Sequence, residues 1–210
     1  MSSPSEKLSS IKDNTQAVYE RQGEQWHHIR RNELFDKYWL DLFLDTVPEG
    51  GTLLDLGCGS GRPVAGYCMT KGLRVTGIDY ATTMITLARE TYPNSEWQVA
   101  DIRDYSPETL FDGVYSWDGF FHLSIPEQRQ ALPRLSSWVK PGGSLLLTVG
   151  PEEGEVTGKI GEDIVYHASL SPDDYKERLN SLGFSRVEFL SKGTDEPSRC
   201  ALLATQKLTR

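Results

Sequence analysis

Apolar residues follow two rhythms along this chain, one helical and one strand-like, and the change from the first to the second comes near residue 50. Over residues 11–31, Ile11, Ala17, Val18, Trp26 and Ile29 recur at roughly helical spacing among many polar positions, which predicts a sparsely amphipathic helix. Residues 34–46 carry a denser stripe of Leu34, Phe35, Tyr38, Leu42 and Phe43, broken by Pro48-Glu49-Gly50-Gly51. Short apolar runs then alternate with helical periods. Strand 52–57 leads to a helix near 62–71 that stops at Lys71-Gly72, and strand 73–78 leads to a helix near 81–91 with Ala81, Met84, Ile85 and Ala88 on one face. Strand 96–100 follows, and Val114-Tyr115-Ser116 is the heart of a fourth. Ser124-Ile125-Pro126-Glu127 spells a capping box with proline in the first turn, and its helix runs to Lys140-Pro141-Gly142-Gly143. Leu145 to Val149 is a continuous apolar run, a central strand covered on both faces. Residues 150–170 are glycine-rich and read as irregular. Ser171-Pro172-Asp173-Asp174 caps a last helix with Tyr175, Leu179 and Leu182 on one face and Gly183 at its end. Strands 184–191 and 199–206 close the chain as a hairpin with Gly193 in the connection.

Strands alternating with helices imply an α/β fold. The expectation is a single Rossmann-like domain, a doubly wound and mostly parallel seven-stranded sheet with an antiparallel edge hairpin at the C-terminal end. Residues 1–10, rich in serine, are expected as a flexible tail; residues 11–46 would form lid helices and 52–210 the core. At 210 residues the chain can bury a core without disulfides or metal. The net charge of −8, with no cluster of Lys and Arg, argues against nucleic-acid or anionic-membrane partners. Cys58, Cys68 and Cys200 are odd in number and lack metal-ligand spacing, and no run is long enough to span a membrane. A reduced, cytoplasmic protein, monomeric or homodimeric and without a metal site, is the expectation.

The chemistry concentrates where strands end. Leu53-Leu54-Asp55-Leu56-Gly57-Cys58-Gly59-Ser60-Gly61 is a buried run ending in an acid and three alternating glycines, and Val75-Thr76-Gly77-Ile78-Asp79 is a second run ending in a lone aspartate. Gly57 lets the backbone turn out of the strand, while Gly59 and Gly61 clear side chains from a ligand's approach. A dinucleotide fingerprint would need glycine at the sixth position from Gly57, where Arg62 stands. The acid-x-Gly-x-Gly-x-Gly pattern instead resembles motif I of the class I S-adenosylmethionine-dependent methyltransferases. Gly77-Ile78-Asp79, Ala100-Asp101-Ile102-Arg103 and the segment from Leu135 to Val149 fall in the same order as in that family.

A carboxylate at Asp79 suits a pair of ribose hydroxyls, or alternatively serves as an acid at a helix N-terminus. The resemblance implies that Asp101 takes the adenine amino group and that the Ile102 N–H meets a ring nitrogen. Tyr80 and Met84 would flank adenine and ribose, with Met84 equally suited to the core. Asp55 would orient the glycine turn and the amino group of the methionine moiety, with Cys58 packing in the turn rather than acting as a nucleophile. Trp117 and Asp118 follow the fourth strand at the ligand-binding edge; Ser116-Trp117-Asp118-Gly119 departs from the Asn/Asp-Pro-Pro-aromatic motif of families that methylate nucleobase or glutamine nitrogens.

For the acceptor side, Phe120-Phe121-His122-Leu123 and Tyr166-His167-Ala168-Ser169-Leu170 resemble two segments of a bacterial small-molecule methyltransferase subgroup. His122, Tyr166 and His167 are the candidates for catalysis, converging on the same sheet edge, with His122 and His167 open to a purely supporting role. Tyr19, Trp26 and Arg30 share roughly one helix face and would lay two aromatics and a cation over the cofactor, or pack on the sheet with Arg30 in solvent. The leading expectation is methyl transfer from S-adenosylmethionine to a small organic acceptor, leaving S-adenosylhomocysteine. Three other readings stay open at this point: methylation of protein or RNA, a non-catalytic module that holds the same cofactor, and a nicotinamide-dependent oxidoreductase.

Overall fold

A computed structural model describes residues 4–29, 34–191 and 199–209. Helix α1 (Pro4–Ile29) and α2 (Lys37–Leu44) precede five strands and the three helices between them: β1 (Thr52–Leu56), α3 (Val64–Thr70), β2 (Arg74–Asp79), α4 (Thr82–Thr91), β3 (Glu96–Val99), β4 (Phe111–Ser116), α5 (Ile125–Ser137) and β5 (Val139–Val149). The hairpin β6 (Gly154–Ile160) and β7 (Asp163–Ser169), helix α6 (Pro172–Ser181) and strands β8 (Phe184–Leu190) and β9 (Cys200–Lys207) complete the order. The main sheet has seven strands ordered β3-β2-β1-β4-β5-β9-β8. β1 pairs parallel with β2 and β4, whereas β9 lies antiparallel to both β5 and β8.

Alternate residues of the inner strands feed two cores. Leu54, Leu56, Val114, Leu145 and Leu147 pack under α5 and α6. Leu53, Val75, Tyr115 and Leu146 pack under α2, α3 and α4. Each fully buried Leu or Val contributes roughly 1.5–3 kcal/mol, so strands covered on both faces hold their carboxyl ends as a fixed rim. The strand order reverses at β1 and β4, which leaves a crevice at that rim.

Three expectations change. The opening residues are helical from Pro4 instead of a frayed tail, because proline suits a first helical turn and the helix is anchored downstream by Lys12, Thr15 and Val18. Residues 150–170 are not irregular: Gly161 (φ 58°) and Glu162 form a two-residue turn between paired Ile160 and Asp163. The capping box at Ser124 is present, but α5 stops at Ser137, and Lys140-Pro141-Gly142-Gly143 bulges out of β5 between the pairs Phe111–Val139 and Gly113–Ser144. Gly193 lies outside the described residues.

Helix α1 crosses the crevice. Val18 is fully buried against Ile160 and Val165 of the hairpin. The Glu20 carboxylate accepts the Thr82 and Thr83 N–H groups at 2.7 and 2.9 Å, capping α4 from outside that helix. Arg21 and Gln22 donate to Asp163, and Lys12 to Glu127 of α5. The helix is therefore tied to the α4 side, the hairpin and α5 at once. No helix among the described residues is long and apolar enough to cross a membrane.

Candidate active site

A cavity of about 250 Å³ opens at the carboxyl ends of β1, β2 and β4, roofed by α1. Its floor is the turn after β1. Gly57, Gly59 and Gly61 all adopt positive φ (74°, 54° and 77°), the conformation that only glycine takes without strain. They divide their duties differently from expectation. A Cβ at Gly59 would meet nothing nearer than Met84 Sδ at 4.0 Å, so the backbone there is open to a ligand. A Cβ on Gly61 would strike the Tyr92 and Trp97 rings at 3.0 Å; that glycine stands behind the cavity lining and serves packing, not ligand approach.

Asp79 is buried and spans the turn: Oδ2 accepts the Gly59 N–H and Oδ1 the Ala81 N–H, both at 2.9 Å. Burial pushes its carboxyl up to about 6, against the pull of those two N–H groups. Asp55 is also buried, with Oδ2 accepting the Tyr115 hydroxyl at 2.9 Å. Burial, with the neighbouring Asp79 adding to it, lifts Asp55 to about 8, so it is largely protonated at neutral pH. Cys58 is buried in the turn with its thiol raised well above the usual range by burial, an inert packing sulfur. Tyr80 and Met84 line the same wall; the Tyr80 hydroxyl is buried with no hydrogen-bond partner among the described residues.

Asp101 and Ile102 line the far end. Burial works against ionising Asp101, yet Arg103 holds it below the usual carboxylate range through Nη2 at 2.5 Å, Nε at 2.9 Å and its backbone N–H at 2.8 Å. Arg103 also reaches Glu127 at 3.1 Å, and Lys12 reaches the same carboxylate at 3.3 Å. Arg103 stands two positions from Asp101, whereas the contacts of Arg103 and Lys12 with Glu127 join separate elements and carried no local signal in the sequence.

At the opposite end stand Trp117, Asp118 and His122. Asp118 has φ 59°, its N–H donates to Thr148 Oγ1 at 2.7 Å, and Arg199 clamps its carboxylate at 2.6 and 2.8 Å. Arg199 also binds Asp36 and lies over the Trp117 ring at 5.7 Å. The sequence reading missed Arg199, since nothing near it marks a partner 81 positions away.

His122 lies in a short 3-10 turn, Phe120–His122. Its Nδ1 is 2.7 Å from the Tyr166 carbonyl and its Nε2 is 2.8 Å from the Tyr19 hydroxyl. A carbonyl has no hydrogen to give, so Nδ1 carries the proton and the bare Nε2 accepts from Tyr19. Burial pushes the imidazole down to about 4, which keeps it neutral. Tyr166 contributes its carbonyl; its hydroxyl turns away to Glu155, so the side chain is not in the cavity as expected. His167 also stands behind the lining, its ring 5.1 Å from His122 and 4.5 Å from Phe121. Tyr19 and Trp26 both line the roof, their rings 6.5 Å apart and edge to face. Arg30 lies outside the described residues.

A family model described as a methyltransferase domain matches residues 53–143, the stretch from β1 to the bulge of β5. Over that stretch the chain is similar to the class I S-adenosylmethionine-dependent methyltransferases. An O-methyltransferase of Pyrenophora dematioidea is 28% identical over 151 residues, covering 66% of this chain and 56% of that protein. The chain spans about half the length of several curated relatives it matches. Among solved structures, an amino pentose methyltransferase of Micromonospora echinaspora with S-adenosylmethionine bound superposes with a TM-score of 0.67 at 19% identity, covering 87% of this chain and 96% of that one. Magnesium protoporphyrin IX methyltransferase of Synechocystis PCC 6803 superposes with a TM-score of 0.69 at 18% identity, covering 93% and 97%. In this family's frame the residues present suit the cofactor. Gly59 leaves a cradle that a Cβ would narrow, Asp79 offers buried acceptor oxygens, and the orphaned Tyr80 hydroxyl awaits a partner.

Proposed function

We propose that this chain moves the methyl group of S-adenosylmethionine to a small organic acceptor. The observation that carries the reading is one roofed cavity with an open glycine turn and a buried acid at one side and a neutral imidazole at the other. The bound cofactor supplies a methyl group on a sulfonium, already activated for in-line displacement. The protein's part is alignment and exclusion of water.

Each Asp79 oxygen holds one backbone N–H and keeps a lone pair, which suits the two ribose hydroxyls. Asp101, oriented by Arg103, takes the adenine amino group, with the Ile102 N–H on a ring nitrogen and Tyr80 and Met84 on its faces. Asp55 and the turn from Gly57 to Gly59 hold the methionine moiety, and Trp117 and Asp118 shape the reacting end. Tyr19 and Trp26, on the roof helix, cover it. The relatives support a small acceptor, being named for O-methyl and trans-aconitate methyl transfer. The acidic balance speaks against RNA, and three free, buried cysteines suit a reducing cytoplasmic setting for a monomer or homodimer.

The test is incubation with host-cell extract and S-adenosylmethionine carrying an isotopic label in the methyl group. The label should appear in a small molecule. Label confined to protein or RNA, or no transfer at all, would overturn the reading.

A further inference from the structure

The small sheet of β6 and β7 has one closed edge and one open edge. β6 is bonded to β7 in a register that sets Thr157 opposite Tyr166, and among the described residues no third strand joins the pair. The far edge of β7 is closed: the Tyr166 N–H lies 3.3 Å from Thr15 Oγ1 on α1, and the Tyr166 carbonyl 2.7 Å from His122 Nδ1. Both backbone groups of Tyr166 therefore point away from β6. In an antiparallel ladder the residue opposite such a position also turns its N–H and C=O outward, and the pattern returns every second residue. Glu155, Thr157 and Lys159 thus aim their backbone groups at the open edge. All three are exposed, and no described residue bonds to those groups.

We propose that the open edge of β6 pairs antiparallel with β6 of a second copy of this chain, about a two-fold axis at Thr157, to give a homodimer with one four-stranded sheet running through it. Charge on an edge strand ordinarily keeps other strands away. Here the signs match a self-pairing. With the axis at Thr157, Glu155 lies opposite Lys159 of the second copy and Lys159 opposite its Glu155, while Thr157 faces Thr157. These are the outward-facing positions, so every spare N–H and C=O among them finds a partner. An axis at Glu155 or at Lys159 would instead set like charges face to face.

The side chains between those positions fit the same axis. Val156 is 61% exposed, an apolar residue with little cover in the single chain. About the Thr157 axis it falls opposite Gly158 of the second copy, where the absence of a side chain leaves room for the valine. Glu155 accepts the Tyr166 hydroxyl through Oε1, which leaves Oε2 for the lysine across the axis. The contact is isologous and closes at two copies, because pairing consumes the open edge of each. It also braces the hairpin from outside. β7 carries the Tyr166 carbonyl that holds His122, so the two cavities of the dimer would stand on one continuous sheet.

The test is the association state of the purified full chain, read by sedimentation velocity across a dilution series. A reversible dimer is expected. Lys159→Glu and Glu155→Lys each set like charges opposite at both ends of the paired segment and should weaken the dimer by about tenfold or more in Kd. The double exchange, Glu155→Lys with Lys159→Glu, should restore it to within about threefold of the parent. Thr157→Cys carries the test without altering either charge. Bonded pairs in an antiparallel ladder hold their Cα atoms about 5.5 Å apart, within disulfide reach, and the native Cys58, Cys68 and Cys200 are buried. Mild oxidation should therefore link Thr157→Cys chains much faster than Glu177→Cys chains, whose cysteine would stand at an exposed position on α6. A chain that stays monomeric at every concentration, as it would if β6 took a strand of some other protein, would overturn the pairing. So would a dimer unmoved by either charge reversal, or a Thr157→Cys chain that links no faster than Glu177→Cys.

Discussion

Replacing Asp79 by Asn isolates the charge of the acid that spans the glycine turn. The side chain keeps its size, but one carboxylate oxygen becomes an NH₂ group facing a backbone N–H at a former distance of 2.9 Å. One of two intramolecular bonds is lost, and a donor stands where a ribose hydroxyl should find an acceptor. Hydrogen bonds to a charged group are worth about 1.5–3 kcal/mol each, so losing one such contact to the ligand weakens binding by about 2 kcal/mol, roughly 30-fold in Kd. Proton uptake gives the same answer from another side. Since burial sets the Asp79 carboxyl near 6, the free parent protein should bind S-adenosylhomocysteine more weakly as pH falls through 6, and Asp79→Asn should lose that dependence. The assay is isothermal calorimetry between pH 5 and 8, with urea denaturation to confirm that the variant is folded. A folded Asn variant that binds within twofold of the parent, with the same pH dependence, would refute the assignment of Asp79.

The other predictions concern stability and the turn. Asp55 is raised by burial to about 8 when folded, far above an unfolded aspartate, so the native state holds the extra proton between about pH 4 and 8 and loses stability as pH rises through that window. Asp55→Asn, still able to accept the Tyr115 hydroxyl, should flatten that decline in urea titrations at pH 6 and 8; an unchanged slope would contradict the burial argument. Gly61→Ala should destabilise more than Gly72→Ala, since both have φ near 80° but only the former aims its Cβ at Tyr92 and Trp97 while the latter faces open space. Equal losses in thermal melts would show that the rings give way. Glu20→Ala removes the cap on α4 and should cost about 1 kcal/mol by the same melts; no loss would mean that α1 does not brace α4.

Legibility in the sequence tracked how local each cause was. β1 and β5 were readable because strands covered on both faces need continuous apolar runs, and the Ser124 box was readable because its bonds close within three residues. The hairpin β6–β7 escaped because its strands alternate weakly. Glu155, Thr157 and Lys159 are exposed, glycines stand at 154 and 158, and its apolar partner is Val18 on a distant helix. The signal that would have found it is Gly161-Glu162 followed by Ile164-Val165-Tyr166. At the site, Asp79, Asp101 and His122 could be picked out because each ends or follows a strand at the ligand edge. The pairings could not: Arg199 on Asp118, and Tyr19, itself picked out for its helix face, on His122 depend on which elements the fold brings together. Tyr166 was singled out for its side chain, yet it is the backbone carbonyl that touches the site, and no residue type announces that.

The central claim is that the turn after β1 accepts an adenosyl sulfonium ligand and not a dinucleotide. Calorimetric titration of the purified chain with S-adenosylhomocysteine and, separately, with NAD tests it most directly. The account predicts saturable one-to-one binding of the first and no heat from the second; uptake of NAD with indifference to S-adenosylhomocysteine would contradict it.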